Sequence, residues 1–242
     1  MEEYIQNYKL FDKTVVYNFE LGNGGIGDYI KFFMFILEDC MKNNKKLYCK
    51  KNNIEIEKYI KLKYDMYIEN INIENVEIVA PYMYYSTINT NFSLNINEVF
   101  YFTDEIIENS KRLFQCDQYV SLHLRLGDKY LETDPYYVLV KDDTRNFSEE
   151  KIYEIIENEN CIFFCCDNQK YKSKIKETYP NVIITNCKIG HTSLSNTTIE
   201  QIIDAITEFY ILTNSQIIYS ASNSGFSEIA SKFNNIPLIK IH

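Results

Sequence analysis

A cluster of glycines between a strand-like and a helix-like segment constrains the fold of this chain more than any other feature. Residues Thr14–Leu21 are apolar and β-branched, which predicts a strand, and apolar residues recur at helical spacing over Tyr29–Asn43. Four of the chain's seven glycines, Gly22, Gly24, Gly25 and Gly27, lie in the turn between them. Such a turn exposes backbone N–H groups at the positive end of a helix dipole, where an anion is stabilised. The alternative is a tight turn without a ligand. No GK[ST] sequence follows, so the turn is not a Walker A loop.

Composition limits the class of function. The chain has 242 residues, of which 45% are hydrophobic and 15% aromatic, enough to build a core. The net charge of −9 argues against a nucleic-acid partner, because such binding needs a basic face. Seven cysteines without a CxxC pair favour buried thiols in a reducing compartment. The N-terminus is too polar for a signal peptide, and the longest apolar run, Tyr29–Leu37, is too short to span a bilayer. We therefore expect a cytoplasmic protein without an integral membrane segment, of unassigned oligomeric state.

Strand-like and helix-like segments alternate along the chain, which predicts an α/β fold with parallel sheets and helices on their faces. The alternation is clearer in the second half, and we place a domain boundary near residue 117. Two segments matter for the comparison below: Ile54–Leu62 is predicted as a helix and Val182–Thr185 as a strand.

A histidine and an arginine share one face of the predicted strand Tyr119–Leu126. A period of two places His123 and Arg125 together, at the carboxyl end where ligands bind in open α/β sheets. Arg125 is one of only three arginines, and its guanidinium suits phosphate. After Gly127 turns the chain, Asp128 is placed to fix the arginine. The alternative is a strand-end salt bridge beside a satisfied histidine.

Another strand-to-helix turn, Ser220–Ser227, is rich in hydroxyl groups. Its N–H groups predict a second set of contacts to phosphate oxygens. The alternative is ordinary N-capping of the helix by Ser224.

Acidic residues stand at three further places. Asp167 follows the strand Cys161–Cys166, again at a carboxyl edge. Asp204 lies in the predicted helix Thr198–Thr213, where the alternative is that it faces solvent. The pair Asp142-Asp143 suggests a metal site, but a solvated loop is favoured, and we predict no metal. Gly190 and its neighbour His191 have no predicted role.

Together these motifs resemble the GDP-fucose-dependent fucosyltransferases, the superfamily of α1,6-, α1,2- and protein O-fucosyltransferases. The sequence HLRLGD at His123–Asp128 matches the HxRxGD-like motif of that group. The glycine-rich turn is similar to its GGxGN-like motif, with Asp28 where Asn is frequent. Asn223–Ser227 resembles its (S/N)SxFS segment. The resemblance covers the C-terminal half well and, before that, little beyond residues 14–37.

The resemblance implies two Rossmann-like domains facing a cleft, as in GT-B-like glycosyltransferases. Residues 1–117 would form the acceptor side, and residues 118–242 would bind the nucleotide sugar. The implied reaction is an inverting, metal-independent transfer from GDP-fucose, the co-substrate, to a glycan or other hydroxyl acceptor. It needs no further cofactor.

Residue roles follow from the same resemblance. Arg125 would bind the β-phosphate and steady the leaving diphosphate, while Glu132 and Asp28 are the candidate bases. The implied donor-binding residues are Gly24, Gly25, Gly27, His123, Asp128, Lys129, Asp167, Asp204, Ser224, Gly225, Phe226 and Ser227. Among them, His123 and Asp204 would contact guanosine. Leu126 stands where the family often has a second basic residue, and Lys129 is the expected partial replacement.

Two alternatives stay open at this point. One is a transferase of the same fold that uses another nucleotide sugar. The other is a non-catalytic nucleotide- or glycan-binding module, which Leu126 and the small N-terminal domain favour.

Overall fold

Helices and strands alternate through the chain. The computed structural model describes residues 1–71, 75–87, 90–114, 116–132, 143–186 and 189–242. The helices in this part of the chain are α1 (Glu2–Gln6), α2 (Ile26–Lys42), α3 (Glu55–Tyr59), α4 (Asp104–Leu113), α5 (Glu149–Asn158), α6 (Gln169–Thr178), α7 (Ile199–Thr213) and α8 (Gly225–Phe233). The strands are β1 (Thr14–Tyr17), β2 (Lys46–Lys50), β3 (Ile60–Leu62), β4 (Tyr67–Ile68), β5 (Val76–Val79), β6 (Phe100–Phe102), β7 (Val120–Leu124), β8 (Ile162–Cys166), β9 (Ile218–Ser220) and β10 (Leu238–Lys240).

Two parallel sheets organise the molecule. The first has the strand order β4-β2-β1-β5 and the second the order β10-β9-β7-β8, with every pairing parallel. Strands β3 and β6 form a separate antiparallel pair. The predicted α/β class with parallel sheets is therefore confirmed. In each sheet the strand that carries a predicted motif, β1 or β7, lies between two neighbours.

Strand β7 shows the predicted alternation. Leu122 and Leu124 are fully buried in an apolar cluster with Phe164. His123 belongs to the opposite face, as does Arg125 just beyond the strand end. The neighbouring strand β8 alternates likewise, since Cys165 packs in one apolar cluster and Cys166 in the other. The motif face of β7 is thus held in place by the leucines behind it.

Helices α2 and α8, which follow the central strand β1 and the strand β9, approach each other closely at their first turns. A Cβ atom on Gly27 would lie only 3.0 Å from the carbonyl oxygen of Gly225 and 3.3 Å from the nitrogen of Phe226. A side chain at this position would therefore press against the backbone of α8. The contact brings the glycine-rich turn of the first sheet next to the hydroxyl-rich turn of the second.

Two predicted elements differ from the structure. The segment Ile54–Leu62 is helical only to Tyr59, and its last three residues form β3, because Ile60 and Leu62 pair with β6 and are buried. The segment Val182–Thr185 is not a strand: only Ile183 forms an isolated bridge, to Phe163. Tertiary pairing decides both outcomes, and local composition does not report it.

Two further predictions concern membrane-spanning segments and the state of the cysteines. Within the described ranges, no helix combines the length and the apolar character needed to cross a bilayer. Cys40, Cys49, Cys165 and Cys166 are free and buried, as predicted. The sulfur atoms of Cys116 and Cys161 lie side by side, and the Cys116 thiol donates to the Gln118 carbonyl at 3.2 Å.

Candidate functional site

A cavity of about 520 Å³ lies where the glycine-rich turn meets the carboxyl edge of the second sheet. It is lined by Gly25, Ile26, Gly27, Asp28, Lys31, His123, Arg125, Asp128, Asp143, Arg145, Cys165, Cys166, Asp167, Ile189, Gly190, His191, Thr192, Ala205, Glu208, Asn223, Ser224, Gly225, Phe226 and Glu228. All three motifs found in the sequence contribute to this lining. The position agrees with the rule that ligands bind at carboxyl edges of parallel strands.

Arg125 is fixed at both its backbone and its side chain. The Ser222 hydroxyl accepts from the Arg125 N–H at 2.8 Å and donates to the Arg125 carbonyl at 2.8 Å. The guanidinium donates through Nη1 to Asp167 Oδ2 at 2.7 Å and through Nη2 to Asp128 Oδ1. The side chain is 18% exposed and the two carboxylates less so. The arginine is therefore held in one orientation before any ligand arrives.

Asp167 also shapes the loop after β7. Its oxygens accept from the N–H groups of Leu126 at 2.8 Å and Gly127 at 3.2 Å. One carboxylate thus holds both the arginine and the backbone that follows it. Asp167 lines the cavity as predicted, with its oxygens engaged by the chain itself.

His123 is neutral at physiological pH. It is 4% exposed, and its ring stacks on Phe226 at 5.2 Å between centroids. Burial and then the charge of Arg125 lower the pKa of His123 to about 3. Within the described residues, its buried Nδ1 has no hydrogen-bond partner. A buried ring nitrogen without a partner at a cavity is available to a ligand.

The glycine-rich turn is partly tied to a loop of the second half. Gly22 N–H donates to the carbonyl and hydroxyl of Ser193, at 3.0 and 2.8 Å, and Gly24 N–H donates to the same hydroxyl at 3.2 Å. The next donors differ, because no described residue accepts from the N–H groups of Ile26 and Gly27. These two residues begin α2 and line the cavity. The donors of the turn that have no acceptor among the described residues are thus at the start of the helix.

Asp28 is the acidic residue that this turn brings to the cavity. Its Oδ2 accepts from the Gly25 N–H at 3.2 Å, which caps α2. Burial raises the pKa of Asp28, against smaller opposing effects of that hydrogen bond and of Lys31. A carboxylate with a raised pKa is a stronger proton acceptor than a solvated one.

Solved structures of fucosyltransferases match this chain. The crystal structure of NodZ alpha-1,6-fucosyltransferase soaked with GDP-fucose has a TM-score of 0.59 at 10% identity and covers 94% of each chain. A mutant of Arabidopsis thaliana FUT1 in complex with GDP has a TM-score of 0.59 at 10% identity, over 100% of this chain and 74% of that one. POFUT1 in complex with GDP has a TM-score of 0.52 at 9% identity, over 95% of this chain and 98% of that one. The chain has the fold of these fucosyltransferases.

This match confirms the GT-B-like fold that the motifs imply. No protein-family model matches the sequence, and no curated protein does. The likeness to the fucosyltransferases therefore lies in the fold and in the motifs quoted above.

The third motif caps a helix and also lines the cavity. Ser224 caps α8 by accepting from the Phe226 N–H at 3.3 Å, as the N-capping alternative predicts. Ser224, Gly225 and Phe226 also line the cavity. Ser227 does not: it is fully buried, and its hydroxyl lies 2.9 Å from that of Ser220.

Four other predicted site residues lie away from the cavity lining. Glu132 accepts from the Gln169 N–H at 2.9 Å and so caps α6. Lys129 is exposed, and Gly24 and Asp204 are also outside the lining. On α7 the residues that line the cavity are Ala205 and Glu208.

Glu208 belongs to a buried polar cluster that the sequence did not indicate. Lys172 Nζ lies 2.9 Å from Glu208 Oε1 and donates to the Thr185 hydroxyl at 2.6 Å. The Cys165 thiol donates to Glu208 Oε2 at 2.8 Å. Lys172 is 0% exposed and Glu208 1%. Its partners come from distant parts of the chain, so no local pattern could have revealed the cluster.

His191 is a second residue of the cavity lining that lacked a predicted role. Its Nδ1 accepts from the Ser193 N–H at 3.2 Å, which places the proton of the neutral ring on Nε2. Burial and then the charge of Arg125 lower the pKa of His191 to about 4. The scarce glycine beside it was the available signal, since a Cβ on Gly190 would collide with Thr197.

The aspartate pair considered as a metal site is only half within the described ranges. Asp142 lies outside them. Asp143 pairs with Arg145, whose Nε is 2.9 Å from its Oδ1, and accepts from the Asp128 N–H at 3.3 Å. No group of three or more ligating side chains occurs in the described part of the chain.

Proposed function

We propose that the protein transfers fucose from GDP-fucose to a hydroxyl acceptor. The observation that carries this proposal is the cavity itself. A fixed Arg125, two motif turns and a neutral His123 converge there, in the fold of fucosyltransferases whose structures hold GDP-fucose or GDP.

Charge development sets the mechanism. The bond between the fucose anomeric carbon and the β-phosphate oxygen breaks while the acceptor oxygen forms the new bond from the opposite face. The sugar passes through an oxocarbenium-like state, GDP leaves with the electron pair, and the configuration inverts. Arg125 and the N–H groups of Ile26 and Gly27 stabilise the growing negative charge in a site that is already organised. We propose that these groups make the reaction metal-independent.

The acceptor proton needs a base, and we assign that role to Asp28 in preference to Glu132. Asp28 lines the cavity with a raised pKa, whereas Glu132 caps α6. His191, with its proton on Nε2, is a hydrogen-bond donor in this scheme.

Guanine recognition falls to the inner end of the cavity. The N1–H and amino group of guanine donate as a pair, and the carboxylate of α7 at the cavity is Glu208, not Asp204. Glu208 Oε2 accepts only from Cys165 within the described residues, which leaves acceptor capacity for a base.

The same scheme assigns the two halves of the chain. We propose that residues 118–242 hold the nucleotide sugar and residues 1–117 face the acceptor, a glycan or another hydroxyl compound. We propose the cytoplasm as the location, on the four buried free cysteines. Thiol alkylation of freshly isolated protein tests this location, because a reducing compartment leaves the cysteines free to react once the chain is unfolded.

Two assays test the proposal on the purified chain. In the first, release of GDP from GDP-fucose is followed with and without EDTA, and an equal rate supports transfer without a metal. In the second, calorimetric titration compares GDP, UDP and ADP, and we expect GDP to bind best. Preferred binding of UDP would point to another nucleotide sugar. Binding of GDP without any transfer or hydrolysis would point to a non-catalytic module.

A further inference from the structure

The residue after Arg125 creates a charge problem for a diphosphate. Leu126 is buried in the apolar cluster behind β7 and contributes no charge. Arg125 itself already faces two carboxylates, Asp128 and Asp167, through its two terminal nitrogens. A further cation in the cavity would therefore stabilise a bound nucleoside diphosphate beyond what Arg125 supplies.

Arg145 lies beside the position that Leu126 occupies. The Arg145 N–H donates to the Leu126 carbonyl at 3.0 Å, and the Lys129 N–H donates to the Asp143 carbonyl at 3.2 Å. Gly127 has φ +109°, and a Cβ there would collide with the Asp143 carbonyl. Residues 143–145 are thus laid along the loop that follows β7, in a defined register.

The side chain of Arg145 is oriented but not enclosed. Its Nε and Nη2 lie 2.9 and 3.2 Å from the two oxygens of Asp143. No described residue engages Nη1. The Arg145 side chain is 39% exposed, against 18% for Arg125. A guanidinium held on one side and open on the other is ready to meet an oxyanion.

We propose that Arg145 is the second cation for the donor diphosphate, beside Arg125. Asp143 is the residue that positions it. The inference rests on the proposed function, because it presumes a nucleoside diphosphate in this cavity. It assigns to Arg145 the part that the sequence led us to expect of Lys129, whose side chain is exposed away from the lining.

Lys31 is the competing source of charge. It lines the cavity from α2, on the opposite wall, and none of the described carboxylates lies within salt-bridge distance of it. Unlike Arg145, it has no hydrogen-bonded connection to the Arg125 loop. A test must therefore compare the two residues.

Calorimetric titration of the full chain with GDP, GMP and guanosine makes this comparison. We expect Arg145→Ala to weaken GDP binding by about 10- to 30-fold, as expected for one charge-assisted hydrogen-bonded contact. The affinity of this variant for GMP should fall less, and its affinity for guanosine should not change. Arg145→Lys should recover part of the GDP affinity. The matched control is Arg112→Ala, because Arg112 is exposed on α4 and bonds only Asn109 among the described residues.

Three results would overturn the inference. The first is an Arg145→Ala variant that binds GDP as the wild type does. The second is an equal loss for guanosine, which would show a structural effect instead of a phosphate contact. The third is a loss of GDP affinity in Lys31→Ala but not in Arg145→Ala. Failure of the wild type to bind GDP at all would instead contradict the proposed function, so the two failures are distinguishable.

Discussion

The two walls of the cavity are built in different ways. The wall from the second sheet holds charged groups that the chain has already paired: Arg125 with Asp128 and Asp167, and Glu208 with Lys172. The wall from α2 offers N–H groups from which no described residue accepts, and Asp28, a carboxylate with a raised pKa. We propose that the two walls divide the work. The wall from the second sheet is organised in advance to bind a charged ligand, and the α2 wall carries the group that accepts a proton.

Replacing Asp28 by Asn tests the α2 wall alone. We expect kcat to fall by about 10²- to 10⁴-fold, because the acceptor loses its base, while the Kd for GDP stays unchanged. The wild-type rate should rise with pH as Asp28 deprotonates through its raised pKa, and the variant should lose that rise. A pH–rate profile checks both. Glu132→Gln is the matched control, and a larger loss there than at Asp28 would move the base back to Glu132.

Replacing Arg125 by Lys disrupts the wall from the second sheet. A lysine cannot reach both Asp128 and Asp167 while facing a phosphate, so kcat/KM for GDP-fucose should fall by at least about 100-fold. Lysine keeps one positive charge beside the two carboxylates, which alanine would leave uncompensated. Steady-state turnover and calorimetric GDP affinity should decline together. Turnover within a factor of three of the wild type would contradict the assignment of Arg125.

Lys172→Met tests the buried ion pair with Glu208 in the wall from the second sheet. Removing this lysine leaves Glu208 as a buried charge without its ion-pair partner, which should lower the free energy of unfolding by about 3–5 kcal/mol. Urea denaturation followed by circular dichroism measures the change. For comparison, Lys174→Met removes an exposed pair with Glu149 and should change the free energy of unfolding far less. Equal effects of the two variants would show that burial of the Lys172 pair is not important.

The contact between the walls is tested by a pair of glycine substitutions. The Cβ of Gly27→Ala would press on the backbone of α8, and we expect a loss of about 1–3 kcal/mol from overpacking. Gly225→Ala is the matched control, because no atom lies within 4 Å of its added Cβ. Thermal melting should therefore separate the two variants. A lower Tm for Gly225→Ala than for Gly27→Ala would contradict the close approach.

The sequence predicted those parts of the site that depend on local pattern. The period of two in β7 places His123 and Arg125 correctly, and the glycine cluster gives the start of α2. Glu208 was missed because its partner Lys172 lies 36 residues away, so a buried acid could not be told from an exposed one. Asp204 lies one turn before Glu208 on α7 and outside the cavity lining, so its predicted donor contact stays a prediction.

Residues on long connections were not predictable in the same way. Arg145 reaches the cavity through hydrogen bonds to the Leu126 loop, which no periodicity reports. Lys129 is close to Arg125 in sequence, but the turn after Gly127 leaves it exposed. Nearness along the chain was therefore a poor guide to which basic residue lines the cavity.

A crystal structure of the chain with GDP tests the central claim most directly. We predict that the diphosphate lies between the start of α2 at Gly27 and the guanidinium of Arg125, with guanine towards Glu208. Electron density for GDP at any other surface, or none at saturating GDP, would contradict the account.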